Sequence, residues 1–196
     1  MGQAEVGGRR QLAMKYRWYL AIAAVLFVSA IAVGLSMPSG DVGSVTGDLG
    51  ALEEFARFLQ DLPPVGMLFF ILAKNVAALL FSFVFSPLLC IVPVAALVIN
   101  GMLVGQVAVL VTSLTSVGYA LAAILPHGII EIPALVIGEA AALSTGVAIM
   151  MVPFRVEARN ELGPTLRRNL KYMGIALALL VPAAVIETFV TPLFLR

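Results

Sequence analysis

Residues 65–111 carry one charge, Lys74, and no polar stretch long enough to form a water-facing helix surface. Lipid offers a backbone no hydrogen-bond partners, so a segment this apolar must cross it as helix or closed barrel, and a helix needs about 20 mostly apolar residues to do so. Three other regions reach that length, at residues 17–36, 114–152 and 172–191. The whole chain is 61% hydrophobic and 12% charged, with a mean hydropathy of +1.06. Soluble domains run at about 45–50% apolar and 25% charged. The expected fold is therefore all-α, a polytopic transmembrane helix bundle in one integral membrane domain over residues 1–196. Its first partner is the lipid bilayer.

Prolines divide the long runs. Ser86-Pro87 splits residues 65–111 into two spans joined by a tight turn, because proline biases the residue before it away from helix. The block 114–152 would make a single helix of about 58 Å, roughly twice the hydrocarbon thickness. Pro126-His127-Gly128 is the expected break. It leaves a short re-entrant or partial helix over 112–125 and a full span from about Gly128 to Val152. The bundle would then hold five full spans plus one short re-entrant or partial helix.

Charge sets the orientation. Residues 1–17 hold Arg9, Arg10, Lys15 and Arg17 against Glu5, a net +3; residues 153–171 hold five basic and two acidic side chains, again +3. Residues 37–64 hold Asp41, Asp48, Glu53, Glu54 and Asp61 against Arg57, a net −4. The positive-inside rule places 1–16 and the loop 153–171 in the cytoplasm and 37–64 outside, in a multi-pass protein of the cell membrane. Within the outer segment, Leu49, Leu52, Phe55, Ala56 and Leu59 recur at helical spacing behind Asp48 and predict an amphipathic surface helix, a lid over the bundle. That helix and the cytoplasmic loop are the expected protein-binding surfaces. The formal net charge of +1 and the lack of a basic-aromatic surface argue against nucleic acid. Cys90 is the only cysteine, so no internal disulfide can form. Small-residue faces at Gly101/Gly105, Ala30/Gly34 and Gly138/Ala142 allow close helix approach and make a homo-oligomer an expectation.

The chemistry lies in the charges that fall inside spans. One at the centre of a membrane helix costs about 2.5–3.5 kcal/mol, so Lys74, Glu131, Glu139 and Glu187 must be paired, protonated or wetted. Counting from the expected outer helix ends puts Lys74 and Glu139 near mid-membrane, suggesting an ion pair. It puts His127, Glu131 and Glu187 in a separate outer cluster, with His127 and Glu131 one turn apart on one face. Pro133 is expected to kink the helix one turn further on. The cluster is a place to handle protons or a cation, or a desolvated lock between helices. One histidine with two glutamates is also the donor set of an open metal site, but the three come from separated segments, and no metal or other cofactor is expected. Asn75, Asn100 and Gln106 are read as interhelical hydrogen-bonding groups. No phosphate loop, HExxH pair or nucleophile elbow occurs, so no enzyme is expected.

Three motifs, "NGMLVGQ" at 100–106, "LPHGIIEIPALVIGEAAALSTG" at 125–146 and "VIETFVTP" at 185–192, resemble the stage II sporulation protein M family of bacterial and archaeal membrane proteins. Pro-His-Gly-x-x-Glu is the specific element. Related sequences often carry two asparagines in the second span; here Lys74-Asn75 stands there, so Asn75 carries over and Lys74 does not. The resemblance implies a membrane scaffold or assembly component, since the namesake in spore formers recruits peptidoglycan-degrading partners. The alternative, from the chemistry, is a cation or proton transporter or channel using His127, Glu131, Glu139 and Glu187.

Overall fold

The computed structural model describes the backbone of residues 2–37, 62–154 and 156–194, and side chains from residue 16 onward within these, apart from residues 157 and 158. Among the described residues there are five long helices, each with a stretch long and apolar enough to span a membrane, and no strands. They are α1 (Gly2–Ser36), α2 (Pro64–Phe85), α3 (Ile91–Leu114), α4 (Val117–Met151) and α5 (Val156–Val185). The chain then closes with a π-helical turn, Ile186–Val190, and a 3-10 turn, Thr191–Leu193. The amphipathic helix expected at residues 48–60 lies outside the described residues.

The expected break at Pro126 does not occur. Residues 112–114 finish α3, Thr115 and Ser116 turn the chain, and α4 runs unbroken through Pro126 and Pro133. The Ser116 hydroxyl caps α4 by accepting from the Tyr119 N–H at 3.2 Å. A proline in a helix forfeits one backbone hydrogen bond. A broken helix in apolar surroundings strands several, so the continuous helix is the cheaper solution. Residues 112–125 thus form no separate re-entrant piece, and α4 is about 52 Å long at about 1.5 Å per residue. The basic segment 153–171, expected as a loop, is helical from Val156 onward and forms the first turns of α5.

The turn between α2 and α3 is where sequence dictates a sharp reversal. Pro87 ends the helix, and Leu89 and Cys90 follow with φ of 54° and 55°. The left-handed region costs a non-glycine residue roughly 1–2 kcal/mol. The Cys90 N–H donates to the Ser86 carbonyl at 3.1 Å and the Leu89 N–H to the Pro87 carbonyl at 2.9 Å, which closes the turn. It nests on α4, since a Cβ on Gly146 would lie 2.7 Å from Cys90 Sγ.

Helices α1 and α3 run parallel with their backbones close together. A Cβ on Gly101 would lie 2.7 Å from both Ala30 Cβ and the Phe27 carbonyl oxygen, and one on Gly105 2.7 Å from the Leu35 nitrogen. The GxxxG face is thus occupied within the chain, against the Ala30/Gly34 face of α1, and is not free for self-association. At the centre stands α4, buried on every side from Gly138 to Gly146, where the run of Gly, Ala and Ser lets neighbouring helices approach. Tyr16 of α1 stacks on Tyr172 of α5, with ring centroids 3.9 Å apart and planes within 4°. The first apolar turn of α1 and the basic turns of α5 therefore share one end of the bundle.

A candidate cation site away from the basic end

Helix α4 supplies His127 and Glu131 one turn apart, and the π-helical turn after α5 supplies Glu187. A π-turn adds a residue to the helical repeat, and such turns are often found at functional sites. All three side chains are half-buried, and one ligand atom from each lies within 4.8 Å of the other two. They face a cavity of about 260 Å³ lined by four of the helices and the π-turn, with Phe27 from α1, Lys74 from α2, and Asn100 and Leu103 from α3.

Polar neighbours fix the cluster. Asn75 Nδ2 donates to Glu131 Oε1 at 3.0 Å, and Thr191 Oγ1 lies 3.5 Å from His127 Nδ1. Asn100 lines the cavity but bonds its own helix, Nδ2 donating to the Ala96 carbonyl at 2.8 Å. Gln106 lies apart, with Nε2 3.2 Å from the Met37 sulfur.

Lys74 and Glu139 do not meet. Lys74, an exposed residue, lies along the cavity with the His127 group. Glu139 is 1% exposed and accepts a hydrogen bond from the Ser82 hydroxyl of α2. The expected depths assumed that the helix starts after Pro126. Counted from Val117, Glu139 is about 33 Å along α4, whereas Lys74 is about 15 Å along the parallel α2.

Around Glu139 and on toward the basic end, a polar network joins three helices. Tyr16 donates its hydroxyl to the Ile137 carbonyl at 3.0 Å, and Arg168 lies 5.4 Å from the centre of the Tyr16 ring. Arg168 Nη2 donates to Ser144 Oγ at 2.8 Å, and Asn169 Nδ2 to Thr145 Oγ1 at 2.9 Å. Ser82, Thr191, Tyr16, Arg168 and Asn169 are partners the sequence reading did not single out. One signal was present: Asn75, Ser82 and Ser86 recur at i, i+7 and i+11, a polar stripe down one face of α2.

A bundle of membrane-length helices that gathers a histidine and two carboxylates around a cavity is a multi-pass membrane protein with an ionisable interior site. The family model for Stage II sporulation protein M matches residues 23–192, most of the chain, and the chain belongs to that family. No curated protein and no solved structure matches it.

Proposed function

We propose that this is a non-enzymatic protein of the cell membrane that binds a cation or proton at His127, Glu131 and Glu187 and passes it through the bundle. The convergence of the three side chains on one cavity carries this reading. Ionisable side chains inside a membrane bundle that face an interior cavity commonly mark ion or proton paths, which supports the reading. The positive-inside rule puts the basic end, and with it the N-terminus, in the cytoplasm, so the cavity belongs to the outer part of the bundle.

The test is ion flux into liposomes holding the purified protein, with a panel of monovalent and divalent cations and a pH gradient. Glu131→Gln and His127→Ala are compared with the natural chain after each is shown to fold. Flux in the natural chain that drops at least tenfold in both variants is the expected result. Flux no higher than in empty liposomes removes the reading. A scaffold role is the second reading, supported by the family match. It expects Glu131→Gln to alter stability alone, and substitutions in residues 48–60 or 153–171 to disturb partner binding.

A further inference from the structure

We infer that the cavity site is selective for a divalent transition-metal ion of the zinc or cobalt type, held by His127, Glu131 and Glu187, with Lys74 as a built-in competing cation. This rests on the cation-site reading above and narrows it to one ligand class.

The donor set carries the choice. Magnesium and calcium take oxygen ligands, whereas an imidazole beside carboxylates suits zinc and its first-row neighbours. Zinc bonds of about 2.0–2.2 Å place tetrahedral ligand atoms about 3.4 Å apart. The three donors here already lie within 4.8 Å of one another, so small side-chain rotations close the gap. Three protein ligands leave positions open for water, as suits an ion that must also leave.

The surrounding groups fit the same assignment. Metal-binding histidines usually engage their second ring nitrogen with a nearby polar group, and ligating carboxylates are themselves hydrogen-bonded. Thr191 stands at His127 Nδ1, which leaves Nε2 for a metal, and Asn75 holds one oxygen of Glu131 while the other stays available. Lys74 lines the same cavity and adds a positive charge that any bound cation must tolerate. The preference for zinc-type ions over Mg2+ comes from the imidazole. Replacing the ammonium by a neutral side chain removes that repulsion and makes every cation bind more tightly.

The experiment is titration of the purified full-length protein in detergent with Zn2+, Co2+ and Mg2+, read by calorimetry, with the visible spectrum recorded for Co2+. One Zn2+ should bind per chain, at least 100-fold more tightly than Mg2+. His127→Ala and Glu187→Gln should each weaken it at least tenfold, and Lys74→Met should strengthen it severalfold. The Co2+ spectrum of the natural chain supplies a readout independent of any variant's folding: imidazole and carboxylate ligation changes the bands of hydrated Co2+. Unchanged bands, Mg2+ binding equal to Zn2+, or Zn2+ binding indifferent to His127→Ala and Glu187→Gln each overturn the assignment. Zn2+ binding without liposome flux upholds the metal site and removes the transport reading. Proton or monovalent flux without Zn2+ binding does the reverse.

Discussion

Glu131 and Glu139 stand on one helix about 12 Å apart along its axis, and the bundle treats them in opposite ways. Glu131 is half-buried beside a cavity, in reach of a histidine, a second carboxylate and an asparagine. Glu139 is shut away at 1% exposure, and the hydroxyl of Ser82 is its hydrogen-bond partner. The difference arises from what surrounds α4. From Gly138 to Gly146 small residues let other helices close on all sides, whereas at His127 and Glu131 the side chains are larger and a gap remains among four helices and the π-turn. A carboxyl thus becomes a packing element or a binding element by the size of its neighbours.

Alanine at each position tests that contrast most harshly. Glu139→Ala should cost about 2–4 kcal/mol, since it leaves a dry void and strands the Ser82 hydroxyl. Glu131→Ala should cost within about 1 kcal/mol, because water can enter the cavity and bond what is left behind. Thermal and denaturant unfolding in detergent would compare them, and equal losses would show that both sites are structural. The partners repeat the pattern on a smaller scale. Ser82→Ala should cost about 1–2 kcal/mol, and Asn75→Ala about 0.5 kcal/mol, near the average for hydrogen bonds between membrane helices. Asn75→Ala should nevertheless weaken ion binding about tenfold, as loss of a group that orients a ligand does, while Ser82→Ala leaves it unchanged.

How far the sequence discloses this arrangement depends on which forces act locally. The first two spans are legible almost to the residue, with 17–36 expected against Tyr16–Ser36, and the third to within one turn, since α3 runs on from residue 111 to Leu114 after the Ser86-Pro87 reversal. Lipid enforces those boundaries, and hydropathy reports lipid. Pro126 does not end α4, because in a membrane bundle neighbouring helices, hydroxyl side chains and small local adjustments re-satisfy the backbone groups a proline frees. A helix starting after Pro126 would set Glu139 at the depth of Lys74, whereas the start at Val117 carries it deeper. The His127–Glu131 juxtaposition is the same in either case because i, i+4 spacing holds wherever the helix begins. Ser82 and Thr191 stayed hidden for another reason: hydroxyls are common in membrane helices and often bond their own backbone, as Ser86 does here to the Phe83 carbonyl.

The gentlest substitution draws the finest line between the two sites. Glu139→Gln keeps the side chain's shape and leaves an amide oxygen to accept from Ser82, so its effect on stability should stay within about 1 kcal/mol. If the sealed carboxyl only locks helices, liposome flux and Zn2+ affinity in Glu139→Gln should match the natural chain. Glu131→Gln, the same change of atoms eight positions earlier, should lose both. Flux abolished by Glu139→Gln at unchanged stability and unchanged Zn2+ affinity would carry a different meaning. The buried carboxyl would then be a stage on the route rather than a lock, reached from the cavity only when α2 and α4 part at Leu79 and Gly138. Those two residues pack directly on each other between the sites, where a Cβ on Gly138 would lie 2.8 Å from Leu79 Cδ2. A bundle closed there in the resting state and opened during transport would make the contrast between the two glutamates a property of one conformation, with the two sites exchanging exposure as an ion moves.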